Sequence, residues 1–159
     1  MDNEQTSGCY GCRIIKGEKE LPGGVIHDGK AAILAADPDV PVPGFLIITA
    51  KRHIRAFSEL TKEERIEIGD ILSCAEKALR SLNIADRITL VQEERSEHFH
   101  IWLFPMYDWM IERFGTGIRY LRDISEYAKE HADKSTWKTV SDTAERIKTA
   151  FMDFYREEA

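Results

Sequence analysis

Long apolar runs are missing from this chain of 159 residues. None approaches the roughly 18 residues that a membrane-spanning helix requires, so no membrane partner is expected. Cysteine is scarce as well. Three residues, two of them close together, cannot make the disulfide framework of a small secreted domain, and a reducing cytoplasm is the natural location. Basic character is also lacking: 22 Lys and Arg against 28 Asp and Glu leave a net charge of −6. The cations are dispersed among the acids, and no basic stripe is available to neutralise a phosphate backbone. That excludes nucleic acid as the main partner. The opening "MDNEQTSGC" is polar and acidic, unlike a signal peptide. Internal repeats and low-complexity segments are absent too.

What is present suits one globular domain, with 43% hydrophobic residues, enough for a real core. The stretch before Cys9 reads as loose. Short apolar runs at 25–28, 31–36 and 44–50, separated by Gly, Asp and Pro, read as strands of an antiparallel meander. The run Asp37 to Gly44, "DPDVPVPG", must be a loop, because its three prolines withdraw ladder donors. "SELTKEE" announces a helix: Thr61 with Glu64 fits a capping box, and Ile68, Ile71, Ala75, Ala78 and Leu82 follow at helical spacing. Asn83 is its stop, and Cys74 falls inside it as a buried, inert thiol. Residues 87–92 and 97–104 read as two further strands with the polar "EERS" as their turn.

Beyond Pro105 the pattern becomes helical. Ile118, Leu121, Ile124 and Ala128 form one stripe. Trp137, Val140, Ala144, Ile147, Phe151 and Phe154 form a second, with "HADKS" breaking the two. The expected organisation is a core over 1–105 and a helical extension over 106–159 packed on the same domain, its charges serving as solvated faces.

The chemistry concentrates in "SEHFHIWLFP", Ser96 to Pro105. Strand alternation puts His98, His100, Trp102 and Phe104 on one face and Phe99, Ile101 and Leu103 on the other. The second set is a sufficient core face, which frees the two histidines for separate tasks; the bland alternative is a pair of surface imidazoles. "CYGC", Cys9 to Cys12, is a redox pair, half of a zinc site, or an accident of spacing. His27, His53, His98, His100 and His131 are the histidine candidates, and His53 ends a strand just before a helix.

"HFHIWLFP" resembles the active-site strand of the histidine triad superfamily, His-φ-His-φ-His-φ-φ. "CYGCRIIKGE" is similar to that family's N-terminal Cys-x-x-Cys segment, and "PGFLIITAKRHIRAFSELTKEE" to its strand, Lys-x-His-Ile turn and helix start. The resemblance runs from Cys9 to Pro105. It implies an α+β fold on an antiparallel sheet with a long helix, a homodimer, and nucleotide hydrolysis or nucleotidyl transfer at the α-phosphate. By position it makes His100 the nucleophile and Cys9, Cys12, His53 and His98 ligands of a structural Zn2+. It places Asp37 at the ribose, with Ser96 and Trp102 as further nucleotide contacts. Substrates of the dinucleoside polyphosphate or nucleoside phosphoramidate type follow.

Two positions depart from the pattern. Trp102 stands where the third histidine belongs, and its indole N–H cannot protonate a leaving group. Glu93, Glu94 and Glu97 occupy the segment where family hydrolases present a Gly-Gln-Ser/Thr stretch to phosphate. The competing reading is a zinc-stabilised nucleotide-binding or interaction protein with little turnover.

Overall fold

The short apolar runs pair as one sheet in the computed structural model, which describes residues 8–158. Strands β1 (Val25–Asp28), β2 (Ala32–Ala36), β3 (Leu46–Ala50), β4 (Ile88–Val91) and β5 (His100–Pro105) are all antiparallel, in the order β1-β2-β3-β5-β4. The helices are α1 (Tyr10–Ile15), α2 (Lys62–Ser81), α3 (Asp108–Phe114), α4 (Leu121–His131) and α5 (Lys134–Glu158). Up to Ser7, the stretch expected to be loose lies outside the described residues.

Helix α2 starts where its capping box places it. Thr61 Oγ1 accepts from the Glu64 N–H at 3.2 Å, and Glu64 Oε2 accepts from the Thr61 N–H at 2.8 Å. It stops at Asn83, whose φ of 53° is the left-handed conformation that asparagine tolerates after a helix end. The predicted stripe is buried, except that Leu82 is only half-buried and Leu79 takes its place in the core. Cys74 is fully buried and its thiol is pushed up to about 11 by burial.

The sheet separates two apolar cores. Leu34, Leu46, Ile48, Phe99 and Leu103 face α2 and α5, meeting Ile71 from one and Val140, Ile147 and Phe151 from the other. Each such side chain, once fully buried, contributes about 1.5–3 kcal/mol. The opposite face carries Phe45 and Phe104, covered by Met110 of α3 and Leu121 and Ile124 of α4. The sheet is complete at Pro105, yet both cores are closed by residues after it.

Two expectations are corrected here, and a segment left open takes its form. The histidine strand begins at His100, not 97, because Glu97 has a φ of 56° and bends the chain out of the extended conformation. His98 therefore rides a bend, pinned by the Phe99 N–H donating to the Ile54 carbonyl at 2.6 Å. The "CYGC" segment is the start of a short helix, capped by Cys9 Sγ, which accepts from the Cys12 N–H at 3.5 Å. And the charges on α4 are not all a solvated face, since Arg122, Glu126 and Lys129 border a cleft.

Candidate active site and metal centre

The bend at Glu97 turns His98 toward α1 and leaves His100 on the ladder, so neighbouring residues serve two different places. Neither is a surface imidazole: His98 is 2% exposed and His100 6%.

At the first place, His98 Nε2 lies 2.7 Å from the Ala50 carbonyl. A carbonyl only accepts, so Nε2 carries the proton and Nδ1 keeps its lone pair. That lone pair meets Cys9 Sγ at 3.3 Å and Cys12 Sγ at 3.6 Å, while His53 Nδ1 lies 3.3 Å from Cys12 Sγ. All four ligand atoms fall within 4.8 Å of one another. Tetrahedral zinc bonds of roughly 2.3 Å to sulfur and 2.0–2.1 Å to nitrogen separate an S and an N ligand by about 3.6 Å. The donor set and its spacing fit zinc, and the Ala50 carbonyl would hold His98 in the orientation that a metal ligand needs. Burial, then Cys9 beside it, pushes the Cys12 thiol up to about 11 in the metal-free arrangement, a cost that a bound cation removes. A metal held by these four residues would tie α1 to the bend before β5. His27 and His131 lie apart from this cluster.

Gly11, between the two cysteines, is the residue that sequence reasoning overlooked. A Cβ there would come within 2.4 Å of the His98 ring, so the helix and the imidazole pack face to face only because position 11 has no side chain.

At the second place, His100 Nδ1 lies 2.9 Å from the His98 carbonyl and 2.9 Å from Ser96 Oγ. The carbonyl again fixes the tautomer: Nδ1 donates, and Nε2 is left with a free lone pair. Ser96 Oγ donates its own proton to that same carbonyl at 2.8 Å, so it braces the imidazole and keeps no proton for a phosphate. Glu93 Oε1 lies 4.0 Å from Nε2.

Both imidazole and carboxylate open on a cleft of about 870 Å³. Its floor is Ile47 and Thr49 of β3, which pair in register with Trp102 and His100. Thr49 Oγ1 is buried and has no hydrogen-bond partner among the described residues. Trp102 packs edge-on against Phe45, with ring centroids 5.4 Å apart, and its centroid lies 5.9 Å from that of His100. Among the described residues nothing accepts a bond from its indole N–H. Asp37, 7% exposed, lines the rim; one oxygen accepts from the Asp39 and Val40 N–H groups at 2.9 and 2.8 Å. Burial raises its carboxyl above the usual range, and those two bonds oppose the rise. Tyr10 of α1 bonds to Asp39, closing one end of the cleft. Arg122 and Lys129 of α4 form the roof.

Among solved structures the chain is similar to a hypothetical histidine triad nucleotide-binding protein from Sulfolobus tokodaii, at 17% identity over 94% of this chain and 95% of that one, with a TM-score of 0.64. A Zn-bound histidine triad family protein from Mycobacterium smegmatis matches at 12% identity over 93% and 96%, with a TM-score of 0.63. The chain has the histidine triad fold. A Hit-like protein involved in cell-cycle regulation from Bartonella henselae matches at 18% identity over 90% and 96%, with a TM-score of 0.59. No protein-family model and no curated protein matches the sequence. These three alignments cover 90–94% of the chain and therefore reach past Pro105. No helix among the described residues is long and apolar enough to cross a membrane.

Proposed function

We propose that this protein is a nucleotide hydrolase or nucleotidyl transferase that works through a covalent nucleotidyl intermediate on His100. The observation that carries this reading is the fixed tautomer. With Nδ1–H committed to the His98 carbonyl, Nε2 presents a neutral lone pair to the cleft. Attack by Nε2 on the α-phosphorus forms an N–P bond and expels the leaving group, giving a cationic imidazolium whose Nδ1–H bond to the carbonyl strengthens as charge develops. Water or another phosphate then bonds to phosphorus and takes the nucleotidyl group, the N–P pair returns to Nε2, and any proton of the acceptor passes to a base. Asp37 is assigned to the ribose hydroxyls, Trp102 to the substrate beside the nucleophile, and Ser96 to bracing the imidazole. Cys9, Cys12, His53 and His98 are assigned to a structural zinc. Substrates of the dinucleoside polyphosphate or nucleoside phosphoramidate class fit the reading.

The fold neighbours whose names mention nucleotide binding and zinc support this assignment. A cytoplasmic location follows from a thiolate pair that must stay reduced to hold metal. A homodimer is part of the same reading, supported by the free edge of β4 and its exposed Leu90.

The test is mass spectrometry of protein quenched after brief exposure to ADP, diadenosine polyphosphates and an AMP phosphoramidate. A nucleotide adduct on His100, absent from His100→Asn, is expected. Turnover by His100→Asn would overturn the assignment. Nucleotide binding with neither adduct nor turnover would favour the second reading, a zinc-stabilised binding protein, to which the acidic cleft wall and Trp102 lend support.

A further inference from the structure

The cleft holds a carboxylate where the sequence pattern places none, and the second step of hydrolysis needs a group to remove a proton from the water that resolves the intermediate. We propose that Glu93 is the general base of that second step, and hence that the protein's acceptor is water rather than a second phosphate. The inference rests on the reading of His100 as nucleophile.

Three observations carry it. Glu93 Oε1 stands 4.0 Å from His100 Nε2, beyond direct hydrogen-bond range (about 2.7–3.2 Å), so the carboxylate borders the space in which phosphorus would bond to that nitrogen. The other oxygen, Oε2, is held by the Arg95 N–H at 3.3 Å and faces the Arg95 guanidinium at 3.9 Å, which aims Oε1 at the histidine. The side chain is 30% exposed, so solvent reaches it and can carry away the proton that it collects. Among the described residues it is the carboxylate that comes within 4.0 Å of the histidine. Trp102 only donates, Ser96 has its proton committed inward, and Thr49 is a weak base. Glu93 and Glu94 stand together on this wall, which repels an anionic acceptor and is indifferent to water.

The step balances. Water oxygen forms a bond to phosphorus, the N–P bond breaks, and its electron pair restores the neutral imidazole with Nδ1–H in place. The water proton passes to the Glu93 carboxylate and then to solvent. No oxidant, metal or further co-reactant enters.

The test uses p-nitrophenyl esters of adenosine, guanosine and uridine 5′-monophosphates, whose leaving group departs without a proton and reports the first step by colour. Glu93→Gln is expected to give a burst near one equivalent of nitrophenolate, then a steady rate at least 100-fold below that of the unaltered protein. The nucleotide adduct should accumulate on His100. Added formate should speed turnover of Glu93→Ala, which a merely structural role would not produce. An adduct that decays equally fast in both proteins would overturn the proposal while leaving His100 in place. So would a slowed burst with normal breakdown, since Glu93 would then be acting on the imidazolium. With no adduct from either protein and full turnover by His100→Asn, the nucleophile itself would be wrong, and this inference would fall with it.

Discussion

Gly11→Ala puts the metal centre to a sharp test, because two local effects oppose each other in sign. On helix propensity alone, alanine inside α1 should stabilise by about 1 kcal/mol. The packing says otherwise. The new Cβ would lie 2.4 Å from His98 Cγ and 2.8 Å from Nδ1. Carbon atoms sit at about 3.5 Å at closest comfort, so α1 or the ring must move by about 1 Å. The ring has nowhere to go, being held at 2.7 Å to the Ala50 carbonyl on its far side. Helix α1 must lift instead, carrying Cys9 and Cys12 away from Nδ1. A metal site tolerates about 0.2 Å, so this displacement is several times too large. Overpacking costs about 1–3 kcal/mol, which outweighs the gain in propensity. Zinc affinity, measured by chelator competition, should fall by 10-fold to 100-fold or more. Melting temperature with zinc present should drop, and should drop less when both proteins are stripped of metal. A Gly11→Ala protein that keeps its zinc affinity and melts higher would refute the face-to-face packing of glycine and imidazole.

Other substitutions read the cleft and the cores. Thr49→Val removes a buried hydroxyl without a partner and nearly preserves its shape, so the free protein should gain about 1 kcal/mol in denaturant unfolding; a loss would reveal a partner for that hydroxyl. Trp102→Phe keeps the packing against Phe45 but loses the indole N–H; nucleotide affinity should fall by about 1 kcal/mol in titration calorimetry, and an unchanged affinity would reduce Trp102 to a wall of the cleft. Phe151→Ala should cost about 3–5 kcal/mol, because the ring is fully buried between α5 and the sheet, and a cost below 1 kcal/mol would detach α5 from that core.

Much of the fold could be read from local pattern, because its determinants are local. The capping box at Thr61, the short apolar runs of β2 and β3 between turn residues, and the stripe of α5 each state their geometry within a few residues. The start of β5 could not be read this way: the left-handed turn at Glu97 is held by the Phe99 N–H reaching Ile54, a contact between residues 45 positions apart. Helix α1 escaped for a similar reason. Six residues carry too little helical preference to declare themselves, and the cap is a cysteine whose partner lies across the sheet. At the site, Cys9, Cys12, His53, His98 and His100 were legible as residue types. The roles of Glu93, Thr49, Arg122 and Lys129 were not, because an acid in a turn and charges on a helix look alike whether they face solvent or a cleft. One signal was available: a glycine between two cysteines, beside a histidine-bearing strand, marks a close approach.

The four-residue cluster also has a consequence for the unfolded chain. Its members join positions 41, 86 and 89 residues apart, so a metal held there closes loops over more than half of the protein. A disulfide closing a loop of that length would remove on the order of 4–5 kcal/mol of unfolded-state freedom. A metal imposes a comparable restraint without a permanent bond, and its strength then follows the free-metal concentration. A metal there would fasten the N-terminal helix with a clasp that a chelator can undo, with no reductant involved. None of the four residues belongs to either apolar core, so undoing the clasp would loosen the helix that carries Tyr10, at the edge of the cleft, before it touched the packing of the sheet.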